Sequence, residues 1–135
     1  MKSLLTRLFA LLLVAVVSLT GLTACSSTPS DLSGNYRDDT LMVIESMRTA
    51  INLPDDSIEK AEAQSESRQL INDFFSLYRR DTSLQKLTSF TTMRTALNSL
   101  AGHYSSYPNR PVPDSLKERL EKEFARVELA LKRGA

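Results

Sequence analysis

At 135 residues the chain has length for one core, and its single cysteine excludes an internal disulfide or a cysteine-rich metal site. Its 17 basic residues nearly match its 16 acidic ones, so it lacks the cationic excess that phosphate contacts require, and no nucleic-acid partner is expected.

The chain opens on "MKSLLTRLFALLLVAVVSLTGLTAC". Lys2 and Arg7 precede an apolar run from Leu8 to Val17, and small residues follow before Cys25. That order is a secretory signal peptide over residues 1–24. The uncharged stretch from Leu8 to Leu22 is short for a retained transmembrane helix of about 20 residues. Its end, "LTAC", resembles the bacterial lipobox, in which cleavage before the cysteine leaves the thiol to take a diacylglycerol thioether and the new amine to take an acyl chain. Cys25 is therefore the expected lipidation site. Removing Lys2 and Arg7 from the 17 basic residues leaves 15 against 16 acidic side chains, a net charge of −1. Acyl chains, and not a polybasic sequence, are then expected to hold the protein to a membrane. Residues 25–37 read as a lipidated, flexible tether, rich in Ser, Pro, Gly and Asn from Ser26 onward and without apolar period.

Helical spacing predicts four segments over residues 38–135. The first, about 38–52, takes Asp38 or Asp39 as N-cap and repeats Leu41, Ile44, Met47 and Ile51 on one face. Pro54 stops it. Asp56 and Glu59 resemble a capping box opening a second helix over 57–80. Its first half is almost wholly polar, and its second half carries Leu70, Ile71, Phe74, Phe75, Leu77 and Tyr78. A third helix is expected over 83–104, with Leu84, Leu87, Phe90, Met93, Leu97, Leu100 and Tyr104 in steps of three and four, and a fourth over 114–133, with Leu116, Leu120, Phe124, Val127 and Leu131 on one stripe. No segment alternates with period two. The expected fold is all-α, an antiparallel up-down-up-down four-helix bundle.

Chemistry is sparse. His103 is the only histidine, so an imidazole dyad has only loop serines beside it, and a Glu-x-x-His or multi-His metal site cannot be built. No G-x-S-x-G elbow or glycine-rich phosphate loop is present. Paired acids such as Asp38 with Asp39, and Asp55 with Asp56, sit where helix amides and dipoles want them. Arg79, Arg80 and Asp81 read as a solvated helix end or a partner contact. In "HYSSYPNRPVP", Pro108, Pro111 and Pro113 stiffen the connection; Tyr104, Tyr107 and Arg110 either stand out from it as anchors or pack back onto the bundle.

The strings "FFSLYRRD" and "TALNSLAGHYSSYPNRPVP", together with "LSGNYRDDTLMVI" and the lipobox, resemble the cyanobacterial photosystem II assembly and repair lipoproteins, over essentially the whole mature chain. The resemblance implies a four-helix bundle without enzyme activity or cofactor, a monomer when free, lipid-anchored on the lumenal face of the thylakoid membrane. It implies transient binding to immature or damaged photosystem II, at the large lumenal loop of an inner chlorophyll-binding antenna protein and beside reaction-centre subunits. There such proteins are expected to keep the oxygen-evolving site open for manganese cluster assembly and to delay extrinsic subunits. The partner-binding residues carried over are Arg79, Arg80 and Asp81, and His103, Tyr104, Tyr107, Asn109 and Arg110. The competing reading is a lipoprotein that itself binds and delivers manganese or calcium, although its acidic residues are spread over caps and exposed faces.

Overall fold

The computed structural model describes residues 31–108 and 110–135. The expected signal peptide, Cys25 and the first part of the expected tether lie outside the described residues, as does Asn109.

Helix α1, Tyr36–Asn52, starts two residues earlier than its apolar period suggests, because the Asn35 carboxamide accepts from the amides of Arg37 and Asp38. The expected Asp38 or Asp39 cap is thus corrected to Asn35. Asp39, freed from capping, turns inward. The expected tether is shortened as well: Leu32 and Tyr36 pack against the core, and the Ser33 and Gly34 amides bond Asp39 at 2.8 and 2.9 Å. Gly34 makes this turn at φ 87, in the left-handed region where a Cβ is penalised. The helix ends as Leu53 turns extended ahead of Pro54.

Helix α2, Glu59–Tyr78, begins without a capping box. The Ser57 hydroxyl takes the Glu59 amide and Lys60 reaches back to Asp55, while Asp56 lies two residues ahead of the N-cap position, Ile58. In α2 the deeply buried residues are Ser67, Ile71, Phe74 and Tyr78, which leaves the polar first turns largely outside the core.

The expected third helix divides. Asp81 accepts from the Ser83 amide and hydroxyl at 2.9 and 2.6 Å, which starts a short 3-10 turn over Leu84–Lys86. Leu87 is extended, and α3 runs from Thr88 to Ser106. It continues past residue 104, so His103–Ser106 are helical and only residues 107–113 connect to α4. Helix α4, Asp114–Lys132, follows Pro113, whose carbonyl takes the Leu116 and Lys117 amides at 3.0 Å.

Side-chain contacts set the directions of the helices. The Tyr36 hydroxyl donates to Ser89 at 3.0 Å, and Arg37 donates to the Leu131 carbonyl at 3.2 Å. The start of α1 therefore lies beside the start of α3 and the end of α4, while Tyr36 and Tyr78, with ring centroids 5.4 Å apart, bring the end of α2 to the same place. At the opposite end Arg68 of α2 donates to the Tyr104 carbonyl of α3 at 3.0 Å. The result is an up-down-up-down four-helix bundle, with no strand among the described residues. Its core runs from Tyr36, Phe74, Tyr78 and Phe90 at one end, through Met47, Met93 and Leu97, to Leu100, Tyr104 and Val112 at the other. Two expected core residues are exposed, Leu41 at 37% and Leu77 at 46%. Each lies at the edge of its apolar stripe, because the α1 face centres on Val43, Ile44 and Met47 and the α2 face on Ile71, Phe74 and Tyr78.

Candidate functional site

The two residue groups expected to meet a partner are built by opposite ends of the bundle. Arg79 and Arg80 close α2, where helix carbonyls point outward and favour cations. Both are exposed, and among the described residues neither guanidinium makes an ion pair. Asp81 does a different task. Its carboxylate is engaged by Ser83, which holds its pKa below the usual range, so it shapes the turn that presents the arginines. On the same stripe of α2 lie Asn72, Phe75 and Ser76, giving the arginines amide, hydroxyl and half-buried aromatic neighbours.

The other group sits where α3 ends. His103 and Tyr107 are one helical turn apart, their ring centroids 5.5 Å from each other and tilted by 36°. The Arg110 guanidinium lies 5.6 Å from the Tyr107 centroid, within cation-π range. The chain returns under His103, whose Nε2 is 3.4 Å from the Arg110 carbonyl oxygen. Val112, 4% exposed between two prolines, inserts into the core and pins this return. His103, Tyr107 and Arg110 thus form one stacked cluster, with Tyr107 49% exposed at its centre.

Tyr104 does not belong to that surface. Of its two readings, anchor or packed on the bundle, the second holds: at 1% exposure its ring is in the core, which removes it from the partner-binding residues that the resemblance implied. The helix extends to Ser106, and position 104 falls on the same stripe as Leu97 and Leu100. Its hydroxyl completes no hydrogen bond, and burial pushes its pKa up, only partly opposed by the nearby Ser67. The Arg68 guanidinium lies over the ring, 5.7 Å from its centroid, and donates to the Tyr104 backbone carbonyl. Asn109 lies outside the described residues.

One buried polar centre escaped the sequence reading. Asp39, 3% exposed, accepts from the Ser33 amide and hydroxyl, the Gly34 amide and the Tyr78 hydroxyl. Burial alone raises a carboxyl pKa; here those donors outweigh it and the pKa falls below its ordinary value. The Tyr78 hydroxyl moves upward, chiefly through burial and then through Asp39. The only sequence signal was a Ser-Gly-Asn turn just before paired acids, which reads equally well as an ordinary helix start.

No three His, Cys, Asp or Glu side chains converge on a metal-sized space among the described residues, and no described helix is long and apolar enough to cross a membrane. Among the described residues the distinctive exposed groups of this small helical bundle are the arginines that close α2 and the His-Tyr-Arg cluster. The chain belongs to the photosystem II Pbs27 family, whose model matches residues 3–131; the family is one of assembly factors and not of enzymes. It is 62% identical over 114 residues to the photosystem II assembly factor lipoprotein Psb27 of Thermosynechococcus vestitus, covering 84% of this chain and 85% of that one. It is 51% identical over 134 residues to the photosystem II lipoprotein Psb27 of Synechocystis, covering 99% and 97%. The similarity reaches the chloroplast photosystem II repair protein PSB27-H1 of Arabidopsis thaliana, 34% identical over 100 residues, covering 73% and 58%. A solution structure of Psb27 from cyanobacterial photosystem II superposes with a TM-score of 0.76 at 50% identity, covering 85% of this chain and 99% of that one.

Proposed function

We propose that this protein is a non-enzymatic assembly and repair factor of photosystem II. It is anchored through diacylglycerol and an N-acyl chain on Cys25 at the lumenal face of the thylakoid membrane. The observation that carries this reading is the 62% identity, over 84% of the chain, to a protein named a photosystem II assembly factor lipoprotein. The bundle binds immature or damaged complexes transiently, at the large lumenal loop of the inner chlorophyll-binding antenna protein and beside the reaction centre. It favours manganese cluster assembly there while delaying the extrinsic subunits.

The stacked cluster of His103, Tyr107 and Arg110 is the surface best suited to the protein contact. Tyr and Arg concentrate binding energy when they are held rigidly and desolvated together, and here the prolines and Val112 hold them. Asn109 belongs to the same connection. A modest interface suffices, because a membrane anchor converts binding into a local encounter at raised effective concentration.

Affinity isolation from thylakoids tests the reading. The wild type is expected to recover the antenna protein, and Tyr107→Ala with Arg110→Ala to lose most of that recovery while keeping its helical spectrum. Undiminished recovery by the double variant rejects this face as the docking surface. Failure of the wild type to recover any photosystem II subunit rejects the assembly role. Direct delivery of manganese or calcium finds no ligand cluster among the described residues and would need a stoichiometric, submicromolar site by calorimetry.

A further inference from the structure

The near-zero total charge of the chain conceals an axial separation. At the end where the chain enters α1, six basic side chains are exposed: Arg37, Arg79, Arg80, Lys86, Lys132 and Arg133. They come from the start of α1, the end of α2, the 3-10 turn and the end of α4, and no two helices supply them all. The acids at that end are Asp31, Asp38, Asp39 and Asp81, of which Asp39 is buried under four hydrogen bonds and Asp81 is held by Ser83. At the far end the balance inverts. Asp55, Asp56, Glu59, Glu62, Glu66, Asp114 and Glu118 outnumber Lys60, Arg68, Arg110, Lys117 and Arg119.

The length of chain preceding this end decides what the basic groups meet. From Cys25 to Asp31 there are six residue steps, which span at most about 22 Å even when fully extended. Asp31 adjoins the turn that Asp39 fastens to the start of α1. The far end lies about 28 Å further on, the length of the 19-residue α3 at 1.5 Å per residue.

We infer that the end of the bundle at which the chain enters α1 seats on anionic lipid headgroups, through arginines and lysines gathered from three helices and the 3-10 turn, and so orients the His103-Tyr107-Arg110 cluster away from the membrane. The inference rests on the reading that Cys25 carries the anchor. The lipid chains supply attachment, and the charged end supplies orientation, since attraction to an anionic surface acts only within a Debye length of about 10 Å at 0.1 M salt. The acidic far end is repelled by the same surface.

The test uses the full lipidated protein on vesicles of phosphatidylcholine, with or without phosphatidylglycerol. A fluorophore is placed on Thr82→Cys or on Ser105→Cys, both exposed and at opposite ends, and a headgroup-located quencher reads proximity. Quenching at position 82 is expected to rise about threefold or more with phosphatidylglycerol, to fall back in 0.5 M salt, and to stay low at position 105 throughout. Arg79→Glu with Arg80→Glu, and separately Lys86→Glu with Lys132→Glu, are each expected to remove the rise while the protein still floats with the vesicles. Equal quenching on neutral and anionic vesicles, or stronger quenching at position 105, overturns the inference alone. Loss of flotation from both vesicle types overturns the anchor reading and the inference with it. Shielding of position 82 that appears only on adding photosystem II cores, and not with anionic lipid, assigns the arginines to a protein partner and also overturns it.

Discussion

Asp39 joins the segment before α1 to the end of α2, because one carboxylate takes Ser33, Gly34 and Tyr78 at once. Truncating it leaves the buried Tyr78 hydroxyl and the part-buried Ser33 and Gly34 donors without this acceptor, and a buried donor costs about 1–3 kcal/mol when unsatisfied. Asp39→Ala is expected to destabilise the bundle by about 2–4 kcal/mol in urea titrations. The pH dependence has a definite sign. The folded pKa of Asp39 lies below its unfolded value, so its contribution is complete above the unfolded pKa of about 3.9 and is lost as pH falls through the folded one. Glu128 adds to the same window, its pKa lowered by the hydrogen bond from Arg48. Stability should therefore drop on acidification below about pH 4, and Asp39→Asn should flatten that drop. The tyrosines of the α3 terminus separate equally cleanly. Tyr104→Ala removes a core ring and should cost about 3–5 kcal/mol. Tyr104→Phe removes only an unpartnered hydroxyl and should be neutral or slightly stabilising. Tyr107→Ala, at an exposed position, should stay within about 0.5 kcal/mol of wild type.

Among the helices, α1 and α4 are clamped by one side chain. Arg48 binds Glu121 through Nε at 2.9 Å and Nη2 at 2.6 Å, binds Glu128 through Nη1 at 2.6 Å, and lies 6.0 Å from the Phe124 centroid. Glu121, Phe124 and Glu128 are spaced three and four residues apart, which makes one receiving stripe on α4. Both carboxylates raise the Arg48 pKa, Glu128 first. The guanidinium side chain is 23% exposed, so solvent screens the pair only in part. Arg48→Ala should cost about 1–2 kcal/mol, less at high salt, and Arg48→Lys should recover only part because lysine cannot serve two carboxylates in a fork. The first turn of α1 offers a second check. Asn35→Ala removes the side-chain cap of the Arg37 and Asp38 amides and should cost about 1 kcal/mol by thermal melt. These element-level features differed in how far the sequence revealed them. The apolar stripes of all four helices were legible from their spacing. The cap was not, because the apolar period beginning at Leu41 points to Asp38 or Asp39, and only the packing of Tyr36 on the core carries the helix back to Asn35. The Arg48 clamp was not legible either, since its partners lie 73 and 80 residues away.

For the whole molecule, antiparallel packing places the Arg79-Arg80 end and the His103-Tyr107-Arg110 end about 28 Å apart, by the length of α3. A partner touching both must be large or must lie along the bundle. Two paired variants therefore report on different contacts. Tyr107→Ala with Arg110→Ala is expected to lower recovery of photosystem II subunits without changing membrane contact at position 82. Arg79→Glu with Arg80→Glu is expected to do the reverse, and both proteins should keep their melting temperature within about 3 °C, since exposed substitutions rarely exceed 0.5 kcal/mol. Pulldown and quenching on the same preparations check the separation.

The sequence by itself determined that the chain opens on a basic, then apolar, then small-residue pattern ending in a lipobox-like motif, that four amphipathic segments must bury their apolar stripes against one another, and which family its unusual strings resemble. Those are local properties, set by spacing and composition within a few turns. Only the tertiary structure decided that Asp39 is a buried junction, that Tyr104 faces the core while Tyr107 faces solvent, and that a nearly neutral chain has one basic end and one acidic end. The reason is physical. Each of these depends on which residues distant in sequence are brought together, and a helix packed in the opposite direction would place the same charges at the other end.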